Sequence, residues 1–176
     1  MKHLFLLFGF VLTFSSCKTP VSDVHFYNPG ISFELAQYRK QQVADIHYSL
    51  SFNIPSKKSE DIRSHLTLEV EISDLSHPLV LDFHEESSHL LSLRVNGQET
   101  EINHKDQHLI IPKEALTKGA NTIEIDFLAG ELSLNRNKDF LYTLLVPDRA
   151  STLFPCFDQP NLKANYTLTI TAPKDW

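Results

Sequence analysis

The sequence predicts an all-β protein, an antiparallel β-sandwich or saddle-shaped sheet with one short helix at its N-terminal end. Three observations carry that expectation. Seven or more short runs alternate apolar and polar residues with a period of two, which places every second side chain on one face of a strand. Turn residues such as Ser76-His77-Pro78, Asn96-Gly97 and Lys118-Gly119 punctuate the runs at regular intervals. Only one stretch repeats at helical spacing. With 176 residues, 41% hydrophobic and 22% charged, the chain has the balance of one globular domain.

Residues 1–16 read as a signal peptide. Lys2-His3 precedes an apolar stretch from Leu4 to Phe14, and Ser15-Ser16 supply the small residues of a cleavage site before Cys17. The stretch is too short for a retained transmembrane helix, which needs about 20 apolar residues. The small residues before Cys17 resemble a bacterial lipobox, with Phe14 replacing the usual Leu at its start. That resemblance implies lipidation of Cys17, a membrane-anchored lipoprotein, and a place in the cell envelope. Residues 17–30, with two prolines and no apolar period, read as a lipidated tether, and residues 31–176 as the folded domain.

Within that domain, Ile31, Leu35 and Tyr38 at helical spacing predict a short helix ending near Gln42, with Ser32 as its N-cap. The period then changes to two. Ile46, Tyr48, Leu50, Phe52 and Ile54 form the first strand, stopped by Pro55. Leu66 to Ile72 form the second and Leu79, Leu81 and Phe83 the third. Leu91, Leu93 and Val95 lead into Asn96-Gly97, whose residues tolerate positive φ, so a hairpin returns through Glu99 to Ile102. Leu109 to Ile111, Ile123 to Phe127, and Tyr166, Leu168 and Ile170 complete the set.

Composition and motif exclude several functions. Sixteen Lys and Arg against 22 Asp and Glu give a net charge of -6, the wrong sign for phosphate neutralisation on nucleic acid. Two cysteines, Cys17 and Cys156, make no disulfide framework. His84-Glu85-Glu86-Ser87-Ser88-His89 imitates a zinc-protease motif, but histidines five apart are rotated by roughly 500° on a helix and leave its common face. His104 and His108 have the right spacing for a metal pair, but no Glu follows His104 and the stretch Asn103 to Gln107 reads as a polar hairpin loop, so neither is expected to bind metal. His25, His47, His65 and His77 read as isolated surface histidines. No metal site is expected in this chain.

The segment least explained by strand patterning is Phe154-Pro155-Cys156-Phe157-Asp158-Gln159-Pro160, followed by Lys163-Ala164 and Tyr166. On its residues alone it is a rigid turn, with Cys156 a small core residue and Asp158 placed to fix neighbouring backbone N–H groups. Together with Tyr38-Arg39, Leu81-Asp82-Phe83 and the Ala172-Pro173 ending, it closely resembles the signature of the N-terminal, saddle-shaped domain of the M1 zinc aminopeptidases, the aminopeptidase N relatives.

The resemblance implies a β domain that packs on a catalytic domain, in cis or in trans, and helps close the pocket for the N-terminus of a peptide substrate. It implies zinc for the whole enzyme. The Gly-Ala-Met-Glu-Asn loop and His-Glu-x-x-His helix of that family do not occur in the 176 residues, so the chain is expected to stop before the catalytic domain and to be inactive alone. At the position where family members commonly hold the substrate α-amino group with a Gln, ten residues before Phe154, this chain has Leu144. Leu144 is expected either to line the substrate pocket or to join the core. The usual Arg three residues before Phe154 is Ser151. Two functions follow: the non-catalytic N-terminal domain of an exported metallo-aminopeptidase that removes N-terminal residues from peptides, or a stand-alone lipoprotein β-sandwich for binding or assembly.

Overall fold

The structure is a computed structural model that describes residues 27–137 and 140–174. The expected signal peptide and Cys17 lie outside those residues. The helix α1 spans Phe33–Gln42, and Ser32 caps it by accepting a hydrogen bond from the Leu35 N–H at 3.1 Å. Eleven strands follow: β1 (Val43–Asn53), β2 (Arg63–Ile72), β3 (Leu79–Asp82), β4 (Leu90–Val95), β5 (Gln98–Glu99), β6 (His104–Lys105), β7 (His108–Ile111), β8 (Gly119–Leu128), β9 (Leu134–Arg136), β10 (Leu141–Thr143) and β11 (Asn165–Thr171). They make a six-stranded sheet in the order β11-β1-β2-β8-β4-β5, a three-stranded sheet β3-β7-β6, and the β9-β10 hairpin.

The period-two runs become the inner face of the large sheet. Ile46, Tyr48 and Leu50 of β1, Leu66, Leu68 and Val70 of β2, and Ile123, Ile125 and Phe127 of β8 are all buried. Leu79, Leu81, Leu109 and Ile111 of the small sheet share the same core, so the two sheets form a sandwich. Phe83, just after β3, packs edge-on against Phe127 with centroids 6.1 Å apart. Outside the sandwich, His65, Thr67, Glu124 and Asp126 give the large sheet its polar face; His65 Nδ1 lies 2.8 Å from Asp126 Oδ1 across β2 and β8.

The structure departs from the sequence expectation in four places. Leu91 was expected to point inward, but a register shift between Leu90 and Ser92 turns Leu90 inward and leaves Leu91 exposed. The hairpin loop expected over Asn103 to Gln107 is tighter than that: His104 and Lys105 already pair with β7, the turn is Asp106-Gln107, both at positive φ, and His108 after it is buried completely. Leu134–Arg136 and Leu141–Thr143 pair as a further hairpin. Finally, β11 runs parallel to β1, in register from His47 opposite Asn165 to Asn53 opposite Thr171. A parallel neighbour cannot return by a tight turn and needs a crossover; here the chain from β2 to β10 supplies it.

Candidate functional site

The outer face of the small sheet is not wet. Val80 and Asp82 of β3 and His108 and Ile110 of β7 point away from the sandwich core, and all four are buried. The helix α1 covers part of this face with Leu35, which packs on Val80, and with Arg39, which is 0% exposed. The Phe154–Pro160 segment and the chain at Tyr27 and Asn28 cover more of it. Asp82 and Cys156 exchange backbone hydrogen bonds, Asp82 N–H to the Cys156 carbonyl at 2.7 Å and Cys156 N–H to the Asp82 carbonyl at 3.1 Å.

Asp82 is the hub of this junction. Arg39 grips its carboxylate with two parallel bonds, Nη2 to Oδ1 at 2.7 Å and Nη1 to Oδ2 at 2.8 Å. The Asp158 N–H donates to Oδ2 at 2.9 Å, and His108 Nδ1 stands 3.0 Å from Oδ1. Burial alone would raise this carboxyl, but the Arg39 charge, the His108 and Arg39 contacts and the Asp158 N–H outweigh it and hold it at about 2. Gln159 links the same turn to α1: its Nε2 donates to the Ala36 carbonyl at 3.2 Å, and its Oε1 accepts from Arg39 Nη1 at 3.4 Å.

The remaining signature residues are placed as follows. Phe154, Pro155, Cys156 and Phe157 are buried, Asp158 is half-buried and Pro160 is exposed. Phe157 packs under the Arg39 guanidinium, 5.6 Å from ring centroid to Cζ, and its N–H donates to the Tyr48 hydroxyl at 3.0 Å. Burial, and then the charges of Asp158 and Asp82, push the Cys156 thiol well above its ordinary value, which keeps it a protonated packing residue. Asp158 Oδ2 accepts from both the backbone N–H (2.9 Å) and the hydroxyl (2.8 Å) of Ser151, which is itself buried. Ser151 therefore closes the turn onto itself.

Phe154 forms the floor of an open apolar cleft of about 610 Å³. One wall is the inner face of β1 and β11, where Leu50 lies opposite Leu168 and Phe52 opposite Ile170. The other is Leu134, Leu141, Thr143 and Leu145 of the β9-β10 hairpin and the chain after it. Tyr48 stacks on Tyr166 at 4.9 Å, and Phe154 meets both rings edge-on. Burial, with the nearby Cys156 and Asp158, pushes the Tyr166 hydroxyl up to about 12. Yet Tyr166, Leu168 and Ile170 remain 55%, 59% and 54% exposed, because no described element lies beyond β11. Phe140, Tyr142, Leu144 and Val146 make a second exposed apolar stripe along the hairpin and the chain after it, of which Tyr142 also lines the cleft. Leu144 belongs to that stripe at 56% exposure, so it is not a core residue, and it does not line the cleft.

Among the described residues, no three His, Cys, Asp or Glu side chains gather as a metal would require. His89 turns to Glu85 and the Leu128 carbonyl, His104 to the Phe83 carbonyl, and His108 to Asp82. His108 is completely buried beside Asp82, under Arg39 and the chain at Asn28. Tyr27 and Asn28, read from the sequence as tether, are docked, Tyr27 against Leu35 and Val80 and Asn28 through its carbonyl to His108.

Residues 44–176 match the family profile of the Peptidase M1 N-terminal domain. The chain belongs to that family. Its fold is that of solved M1 enzymes: an M1 zinc metallopeptidase from Deinococcus radiodurans superposes with a TM-score of 0.59 at 19% identity, covering 74% of this chain and 32% of that one. Leukotriene A4 hydrolase from Saccharomyces cerevisiae gives 0.60 at 20% identity, covering 74% and 23%. The human protein named glutamyl aminopeptidase is 57% identical over 30 residues, 17% of this chain and 3% of that protein. This M1 N-terminal domain chain thus spans about a third or less of the length of the enzymes it matches. The functional residues that sequence reasoning missed are Arg39, Asp82 and His108 in their shared role. The signal was present in the family-like Tyr38-Arg39 and Leu81-Asp82-Phe83 segments, but nothing in their spacing joins them.

Proposed function

We propose that this domain is the non-catalytic, substrate-side part of an exported zinc aminopeptidase that removes N-terminal residues from peptides. The carrying observation is membership of the M1 N-terminal domain family, combined with two apolar surfaces that a further part of such an enzyme would cover. The described residues offer no ligand set for zinc, so the metal and the hydrolytic chemistry would belong to the catalytic part. The role of this chain is positional. The Arg39–Asp82–Gln159 hub clamps the Phe154–Pro160 turn, the turn carries Phe154 into the cleft floor, and the hairpin before it presents Leu144 outward. An apolar side chain at Leu144 has no group to hold an amino terminus, so substrate recognition there would be by shape and desolvation. The lipobox-like Ser15-Ser16-Cys17 supports an anchor at Cys17 and a location in the cell envelope.

The test is the native polypeptide in the membranes of the source organism, detected with an antibody to residues 31–176. A band several times larger than 20.1 kDa, co-purifying with zinc and with activity on aminoacyl-p-nitroanilides, supports the proposal. A band near the mass of this chain alone, without activity, replaces it with the stand-alone lipoprotein module. Cys17→Ser is expected to release the protein from the membrane fraction; retention there would remove the lipid anchor from the account.

A further inference from the structure

His108 supports the Asp82 hub through one ring nitrogen and turns the other away from the Phe154–Pro160 segment, toward Asn28. Its ring is enclosed between two oxygens. Nε2 lies 2.9 Å from the backbone carbonyl of Asn28, and Nδ1 lies 3.0 Å from Asp82 Oδ1, near enough for an ion pair although off the line of a good hydrogen bond. Neither oxygen brings a proton. One is a carbonyl, and the other belongs to a carboxylate kept ionised by Arg39 and the Asp158 N–H. A neutral imidazole carries one N–H, so it turns a bare lone pair onto one of the two oxygens, whereas an imidazolium turns an N–H and a positive charge toward each. The lone pair is least tolerable against the carboxylate, so the last proton stays at Nδ1 and the Asn28 carbonyl is the contact given up.

We propose that protonation of His108 clamps the Tyr27–Gly30 segment onto the three-stranded sheet, and that loss of the second ring proton loosens it. The segment is where the described domain begins, so the clamp sets whether Tyr27–Gly30 is held on the sheet or released. The groups around the ring are consistent with one controlling carboxylate. From β3 comes Asp82, and from α1 comes Arg39, spent on that same carboxylate. From β6, Lys105 pairs with His108 in the ladder but extends into solvent toward Asp106. The Asp158 carboxylate is turned to Ser151.

The test is NMR of the full chain, following the His108 ring and the backbone amides of Tyr27, Asn28 and Gly30 between about pH 5 and 8.5, the span in which histidines commonly titrate. The amides are expected to move with the same midpoint as the ring. Chymotrypsin cleavage at Tyr27, corrected for the protease's own pH dependence, is expected to rise about fivefold on the alkaline side, the worth of one net hydrogen bond. In His108→Gln, which keeps a donor near Asn28 and does not titrate, both changes should vanish. Amides that stay still while the ring titrates, a ring that does not titrate in this range, or an unchanged pH dependence in the variant each overturn the proposal. The wild-type spectra decide the matter even if the variant does not fold.

Discussion

Replacing Asp82 by Asn tests whether one buried carboxylate holds α1, the small sheet and the Phe154–Pro160 turn together. The substitution keeps the shape and one carbonyl oxygen but leaves the Arg39 guanidinium, 0% exposed, without its counter-ion. Removing one member of a buried pair costs about 3–5 kcal/mol, because the remaining charge stays desolvated. With a urea m-value of about 2 kcal/mol per molar, the unfolding midpoint should fall by roughly 2 M. The same reasoning fixes a pH dependence. The Asp82 carboxyl lies at about 2 in the fold against an ordinary 3.8; that lowering is worth about 2 kcal/mol. Because the folded value is the lower one, this stability is fully present above 3.8 and is lost as pH falls through about 2. Urea titrations by circular dichroism at neutral pH and at several points between pH 5 and about 2 measure both quantities. A loss below about 1 kcal/mol, or an acid branch equally steep in the variant, would refute the assignment of Asp82 as hub. Changing the pair together, Arg39→Met with Asp82→Leu, should recover a large part of the loss, since two charges leave the interior at once.

The exposed counterpart should behave differently. Asp126 is lowered by its bonds from His65 and Ser92, yet it is half exposed, so Asp126→Asn should cost under about 1 kcal/mol and lose even that in high salt. Tyr48→Phe removes the acceptor of the Phe157 N–H and orphans a buried donor; urea unfolding should show a loss of about 1–3 kcal/mol. Gly130→Ala would set a methyl group against the Thr152 carbonyl and the Glu85 carboxylate, and only the second of these can swing away. A loss of about 1–3 kcal/mol is expected, seen as a Tm lower by roughly 3–10 °C; an unchanged Tm would mean that the backbone there has room.

What could be read in the chain was whatever depends on near neighbours. β1, β2 and β8 alternate strictly, and their inner residues are those the alternation selects. Ser32 caps α1 because its position before the first turn is a local property. Asn96-Gly97 turns the β4-β5 hairpin with φ values of 51° and 78°, as those two residue types allow. The bulge that exposes Leu91 was not legible, since it is decided by how β4 seats against β8 rather than by β4's own pattern. Nor was the direction of β11. Tyr166, Leu168 and Ile170 alternate as the inner residues of β1 do, but a strand's partner and its sense depend on the route by which the chain arrives.

The same limit explains the hub. Alternation with Leu79, Leu81 and Phe83 puts Asp82 on the second face of β3, which by itself says water. Arg39 likewise reads as a solvated helix charge. By itself the sequence determined the strands, the turns, the cap and, through Phe154–Pro160, the family, because periodicity and turn chemistry act over a few residues. Only the tertiary structure decided that α1 and the signature turn land on the polar face of the small sheet. Once they do, Asp82 and Arg39 lose their water and must satisfy each other, and a face that was free to be polar becomes one that has to be paired.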